Sequence, residues 1–257
     1  MSRSWEREGR RPRIIATIEA RMGSSRLPGK VLMDVEGKPA LSRLVARLRQ
    51  CETLDKIVLA TSVSSGDDQL VDWAEQEGVE YFRGSEDDVL QRVVDAQAAH
   101  DSDIVVEITG DCTLLDPGLV DMGVQTFLAN PVECVTNCFK PSYPLGADLM
   151  VLDFESLAEC ARTIDDPVVH EHVSLYIVEH PEIYQVVHLT APPRWQGPHL
   201  RLMLDYPEDL EFIRQVYRRL LPIYGERFGL EEIMALLKEE PGLADINQHC
   251  EEKAVRP

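Results

Sequence analysis

Between residues 13 and 129, short apolar runs alternate with amphipathic segments, and this alternation constrains the fold more than any other feature. Residues 13–18 (RIIATI), 56–61 (KIVLAT) and 103–109 (DIVVEIT) are short and rich in β-branched residues, so each reads as a buried strand. Residues 79–82 add another strand, and residues 31–35 read as a short extended piece turned by Glu36-Gly37-Lys38-Pro39. Between these runs, Leu41, Leu44, Val45 and Leu48 recur at helical spacing, and helices are expected at 67–77, 86–100 and 117–129. Asp116 is placed to cap the last of these, with Pro117 in its first turn. Strands alternating with helices predict an α/β fold with a mainly parallel sheet covered on both faces. In such sheets ligands bind beyond the carboxyl ends of the strands, which singles out the loops at 20–30 and 110–116.

From residue 132 the pattern is less regular. A turn-rich stretch, Tyr143-Pro144-Leu145-Gly146-Ala147-Asp148, precedes a strand at 149–152. Two helix-like segments follow, then an extended piece at 184–189 and a final strand at 201–204 that ends in Asp205. Residues 207–220 form a helix with Leu210, Ile213, Val216 and Tyr217 on one face. The expected organisation is a mobile leader at 1–12, a main domain at 13–225, and a C-terminal helix and tail at 226–257.

Charge narrows the partners. The chain has 257 residues and a net charge of -19, which argues against long nucleic acids and anionic membrane surfaces. No apolar run approaches the ~20 residues of a membrane span. The six cysteines lack CxxC spacing and read as reduced thiols, so the cytoplasm is the expected compartment. An acidic chain that handles a polyanion must gather its few cations in one place.

The loop Ala20-Arg21-Met22-Gly23-Ser24-Ser25-Arg26-Leu27-Pro28-Gly29-Lys30 does this, with three cations and two glycines. Glycine lets backbone N–H groups approach an anion, and arginine supplies forked donors for phosphate oxygens. Lysine adds a compact point charge. A solvated loop paired with nearby carboxylates is the plainer reading. Neither a Walker A spacing nor a GxGxxG is present, so a P-loop ATPase and a dinucleotide site lose support.

Asp111 and Asp205 each follow an apolar run, so both lie at the crevice end of the sheet. Two carboxylates with few other ligands suit Mg²⁺, which shares its shell with substrate phosphates. A turn or a helix cap is the plainer role for either. His170-Glu171-His172 invites a metal, but neighbours two apart on a helix diverge, so no shared ion is expected there. Trp73 and Trp195 read as packing residues.

Arg21-x-x-x-Ser25-Arg26-Leu27-Pro28-Gly29-Lys30 resembles the signature of the cytidylyltransferase superfamily, and most of all its spore-coat polysaccharide branch. The likeness continues through Arg83-Gly84-Ser85-Glu86-Asp87-Asp88-Val89-Leu90, Thr109-Gly110-Asp111, and Leu204-Asp205-Tyr206-Pro207-Glu208-Asp209-Leu210, in order, over roughly residues 13–220. The resemblance implies a Rossmann-like three-layer α/β/α nucleotidyltransferase fold of the GT-A-like kind. It implies CMP transfer from CTP to a small acidic, sugar-like acceptor, with release of pyrophosphate, in polysaccharide precursor synthesis. Asp111 and Asp205 would hold Mg²⁺, and Lys30 and Arg21 would complete the catalytic set.

Nucleotide contacts would come from Ala20, Arg21, Gly23, Ser24, Ser25, Arg26 and Lys30, with Arg83, Ser85 and Arg92 near the cytidine. A helix cap remains an equal reading of Ser85. Tyr143, Gly146, Asp148 and His172 become acceptor-site candidates, inside an acceptor and dimerisation extension at about 138–190. A homodimer is implied in the same way. The sugar-acid enzymes usually read Gln-Gly-Asp-Glu-Pro where this chain has Thr109-Gly110-Asp111-Cys112-Thr113, so the metal ligand is kept and the acceptor side differs. Two competing readings are a nucleotide-sugar glycosyltransferase, whose Asp-x-Asp motif lacks its second Asp here, and a catalytically dead nucleotide-binding regulator.

Overall fold

The computed structural model describes residues 3–252 and Val255. Its central sheet has seven strands: β1 (Ile14–Glu19), β4 (Lys56–Ser62), β5 (Glu80–Gly84), β6 (Ile104–Thr109), β7 (Cys134–Thr136), β8 (Met150–Asp153) and β9 (Val186–His188), while β2 (Asp34–Val35) and β3 (Lys38–Pro39) form a separate hairpin. The spatial order is β5-β4-β1-β6-β8-β7-β9. Pairing is parallel from β5 through β6, and β8 runs antiparallel to both its neighbours. The expected mainly parallel α/β sheet is present.

Helices cover both faces. One face carries α2 (Ala40–Leu48), α3 (Asp68–Glu77), α5 (Pro117–Ala129), α9 (Pro207–Tyr224) and α10 (Leu230–Glu239), whose apolar stripes join Ala16, Ile18, Val106 and Ile108 in the larger core. The other carries α4 (Val89–Ala98), α6 (Phe154–Thr163), α7 (Pro167–Glu171) and α8 (Leu175–Glu179), packed on Val105, Cys134 and Leu152. Alternation along each strand sends successive side chains to opposite layers, so the central strands are apolar throughout. Asp116 caps α5 by accepting from the Leu119 N–H at 3.0 Å, as its position before Pro117 predicts.

Four expectations need correction. Residues 201–204 are not a strand, since only Arg201 bridges, to Leu145. Residues 31–35 are not one extended piece, because Leu32 and Met33 close 3₁₀ turns on Gly29 and Lys30 (3.0 and 3.1 Å) before β2 begins. The leader is docked where it is described, beginning with the short helix α1 (Ser4–Arg7). Arg3 donates to the carbonyls of Phe127, Asn130 and Val132 at 3.4, 3.1 and 2.6 Å and lies over the Phe127 ring. Arg10 grips Asp103 at 2.5 and 2.7 Å; Met1 and Ser2 lie outside the described residues. Finally, the boundary at 225 separates nothing, since Phe228, Leu230, Ile233, Leu236 and Leu243 belong to the larger core.

Candidate active site

The site forms where β1 and β6 end side by side. Gly110 makes this approach feasible: a Cβ there would sit 3.0 Å from both the Glu19 carbonyl and the Ala20 side chain. Its N–H donates to the Glu19 carbonyl at 2.9 Å, which ties the two strand ends together. The loop after β1 then folds back on itself, with the Gly29 N–H donating to the Met22 carbonyl at 3.0 Å and Leu27 plugged into the core. Gly29 takes the left-handed conformation that turns the chain into the Lys30 3₁₀ helix. Opposite, the Leu204 N–H donates to the Asp111 carbonyl at 3.0 Å. That backbone contact brings Asp205 beside Asp111, although the two are 94 positions apart in the sequence.

Lys30 sits between the two carboxylates, its Nζ 2.7 Å from Asp111 Oδ2 and 2.7 Å from Asp205 Oδ1. Arg26 reaches the other Asp205 oxygen at 2.7 Å, and Arg201 approaches it at 3.3 Å. Burial alone would lower the Lys30 pKa, but Asp111 and Asp205 outweigh it and raise it. Burial likewise works to raise the Asp205 carboxyl, yet Lys30, Arg26 and Arg201 hold it below its usual range. Lys30 and Asp205 therefore meet as a charged pair at neutral pH.

Two adjoining cavities share this triangle. The first, about 380 Å³, is lined by Ala20, Arg21, Gly23, Ser24, Ser25, Arg26 and Lys30 together with Arg92. Asp111, Asp205 and His172 line it too. The second, about 370 Å³, shares Arg26, Asp111, Asp205 and His172 and extends over Asp148, Glu107, Ser174 and Cys138. The first chamber gathers Arg21, Arg26, Lys30 and Arg92 with two glycines, alongside Glu19 and Glu171; the second is acidic, and Asp111 and Asp205 stand at their border.

Not every expected residue arrives. Arg83 lines neither cavity; it donates to the Ser62 and Ser64 carbonyls at 2.8 and 2.9 Å and pairs with Asp68, which fastens β5 to the loop after β4. Ser85 is exposed, and its hydroxyl accepts from the Asp88 N–H at 3.0 Å, while Asp88 itself caps α4. Arg92 reaches the first cavity from α4 and bonds the Ser85 carbonyl. Tyr143 is buried against Trp195 and faces neither cavity. Gly146 acts through shape: at φ +91° it lets the Met203 backbone pass, and a Cβ would lie 2.4 Å from the Met203 nitrogen. His170 pairs with Asp88 at 2.7 Å and with the Ile164 carbonyl at 2.8 Å, so it diverges from His172.

Sequence reasoning missed Glu19 and Glu107, which sit on the same sheet face because β1 and β6 pair in register as Thr17 with Glu107 and Glu19 with Thr109. Burial, reinforced by Glu107 and Asp111 and opposed by Arg92, pushes the Glu19 carboxyl well above its usual range. Burial raises Glu107 to about 7 against a hydrogen bond from Ser174. Asp148 is also raised to about 7, by burial and by Asp111 and Glu252. An acidic residue inside an otherwise apolar strand was the available signal.

Two carboxylates whose oxygens converge on one cation are the donors a hard divalent ion takes, and the Lys30 ammonium stands in for such a charge. Among the described residues no group of three or more His, Cys, Asp or Glu is arranged to hold a metal. An ion here would complete its shell from water and nucleotide oxygens.

Comparison with known proteins decides the family. A family model described as cytidylyltransferase matches residues 15–242. The chain belongs to the cytidylyltransferase family. Membership extends past residue 225, in agreement with the core contacts of α10. This cytidylyltransferase is 36% identical over 239 residues to the spore coat polysaccharide biosynthesis protein SpsF of Bacillus subtilis, covering 90% of this chain and 96% of that protein. It is 31% identical over 244 residues to the uncharacterized protein MJ1063 of Methanocaldococcus jannaschii, covering 95% and 98%. Among solved structures, a cytidylyltransferase from Leptospira borgpetersenii superposes with a TM-score of 0.86 at 28% identity, covering 95% of this chain and all of that one. A CMP:2-keto-3-deoxy-manno-octonic acid synthetase solved with CTP shares the fold at a TM-score of 0.59 and 19% identity, covering 81% of this chain and 100% of that one. The chain is therefore a CTP-using nucleotidyltransferase with a three-layer α/β fold. Among the described residues no helix is long and apolar enough to cross a membrane.

Proposed function

We propose that this cytidylyltransferase transfers CMP from CTP to a sugar-like acceptor and releases pyrophosphate, with a divalent cation, Mg²⁺ by preference, held by Asp111 and Asp205. The observation that carries this reading is the Lys30–Asp111–Asp205 triangle at the border of a cavity that gathers three arginines and Lys30 and a second, acidic cavity. A triphosphate suits the first chamber and a polar acceptor the second.

The chemistry is in-line attack by an acceptor oxygen on the α-phosphorus of CTP. A new P–O bond forms, the bond from the α-phosphorus to the α,β-bridging oxygen breaks with its electron pair leaving on pyrophosphate, and the acceptor oxygen's proton passes to solvent. Lys30 balances the negative charge that grows on the α-phosphoryl oxygens, and Arg21 and Arg26 hold the β- and γ-phosphates. Arg92 and the backbone of the Gly23 to Ser25 turn support the nucleotide. When bound, the cation screens phosphate charge and favours ionisation of an attacking hydroxyl. Positioning and electrostatics supply the rate, so no covalent nucleophile is needed.

The naming of SpsF for spore coat polysaccharide biosynthesis supports a place in glycan precursor synthesis. A solved structure sharing the fold, Rv0371C of Mycobacterium tuberculosis, is described as a complex with manganese, which supports divalent-ion use. A homodimer formed through the region at 138–190 and cytoplasmic location complete the reading.

The test is pyrophosphate release with each of the four nucleoside triphosphates, with and without Mg²⁺ or Mn²⁺, against a panel of sugars and sugar derivatives. CTP- and metal-dependent release with one acceptor is expected. Release that ignores the metal, or that prefers another triphosphate, overturns the reading.

A further inference from the structure

We infer that the second chamber selects an acceptor that enters with hydroxyl or amino donors and brings no carboxylate or phosphate group into it. This rests on the transfer reading above and narrows its acceptor class, away from the acidic sugar that the family resemblance suggests.

The chamber's charged and polar wall is made by Glu107, Asp148, Glu171 and Glu252, with Ser174 and His172 beside them. Arg26 is the one lysine or arginine that lines it among the described residues. That guanidinium stands at the border, bound to Asp205 at 2.7 Å and lying over the Tyr206 ring. Recognition of a carboxylate or phosphate calls for forked or ammonium donors, and the far wall offers none from a lysine or arginine of this chain. A carboxyl group accepts on its carbonyl oxygen in either protonation state and only accepts once ionised, so a ligand that matches this wall brings donors.

Two details strengthen the argument. Glu107 Oε2 and Glu19 Oε1 are buried with no hydrogen-bond partner. Such acceptors are costly to leave unsatisfied, and a ligand hydroxyl or ammonium satisfies them. Burial raises both Glu107 and Asp148 to about 7, with Asp111 and Glu252 adding to it at Asp148, so the pocket disfavours ionised groups. A further anion would meet the same burial cost, whereas a neutral hydroxyl donor would not. Phe139, Leu149, Leu175 and Met203 supply apolar surface for the face of a sugar ring.

Cys138 lines the chamber and reports its potential without any knowledge of the acceptor. The full chain is treated with two methanethiosulfonates of similar size, one ending in trimethylammonium and one in sulfonate, and disulfide formation at Cys138 is followed by peptide mass spectrometry. Both reagents meet the same thiol, so their rate ratio, divided by the same ratio measured with free 2-mercaptoethanol, reads the local potential. This normalised ratio of cationic to anionic rate is expected to be at least about ten, as a potential of a few kT requires. The ratio is expected to fall toward one in the Glu107→Gln/Asp148→Asn double variant. A normalised ratio of one or below, or failure of both reagents to reach Cys138, overturns the inference, and the wild-type ratio decides even if the variant does not fold. In the pyrophosphate assay, a keto-sugar acid that turns over better than its carboxamide would overturn the inference while leaving CMP transfer intact.

Discussion

Asp209 holds Arg201 through a two-pronged buried ion pair, with Arg201 Nε and Nη2 at 2.8 and 3.0 Å from its two carboxylate oxygens. Asp209 is fully buried and also accepts from the Asp205 and Tyr206 N–H groups, both at 2.9 Å, and from Asn247 at 2.8 Å. Arg201 in turn faces Asp205. The carboxylate at the reaction border is thus aimed by a second carboxylate beneath it. Asp209→Asn leaves a buried guanidinium short of charge and should cost about 3–5 kcal/mol in denaturant melts. A loss below about 1 kcal/mol would show that Asp209 is not the support described here.

Gly146→Ala forces a Cβ to 2.4 Å from the Met203 nitrogen at a positive φ, and the backbone there cannot give way cheaply. A loss of at least about 2 kcal/mol is expected. Gly242→Ala meets nothing within 4 Å and serves as the control, expected within about 0.5 kcal/mol of wild type. Similar losses in the two variants would contradict the close-approach account.

Glu107 and Asp148 predict an unusual pH trend. Both titrate near 7 in the folded chain, against ordinary values of 4.5 and 3.8. Between those values the folded state binds more protons than the unfolded one, so their contribution is full below about pH 4 and is lost as pH rises toward about 7. From about pH 5 to about pH 8, wild type should lose roughly 2 kcal/mol more than Glu107→Gln in urea melts. Parallel trends would refute the raised carboxyl.

Lys30 occupies the point on which both border carboxylates converge. Lys30→Met should therefore bind Mn²⁺ more tightly in the absence of nucleotide, by roughly tenfold in calorimetry, while losing turnover. Weaker Mn²⁺ binding in Lys30→Met would mean that the ion does not take the place of the ammonium. Chelation of divalent ions should abolish activity, and Mg²⁺ should restore it.

Much of the fold is legible in the sequence because the central strands and the core-facing helices carry strong periodicity. β1, β4 and β6 and the helices α2, α5 and α9 fall where apolar spacing places them. The errors have local causes. Residues 201–204 look like a strand but form a single parallel bridge, Arg201 with Leu145, because the chain turns at Gly146 and offers no longer extended partner. The arginine-rich start looks solvated, yet Arg3 finds the open carbonyls at the end of α5. In the site, the phosphate-side loop and both border carboxylates are readable from residue type and position. Glu19 and Glu107 are not, because a strand pattern records burial and says nothing of which buried carboxyl faces a cavity. Asp209 passes for a helix-start acid until its contacts with Arg201 are seen.

Asp111 is assigned to the ion that serves the reacting phosphate, while Arg21, Arg26 and the Gly23 to Ser25 turn carry most of the nucleotide binding. The most direct measurement is pyrophosphate release by Asp111→Asn at saturating CTP, metal and acceptor, alongside CTP binding to the same variant. Turnover reduced by at least ~10²-fold, with CTP affinity within a few-fold of wild type and an intact fold, is the predicted result. Wild-type turnover in Asp111→Asn would contradict the account.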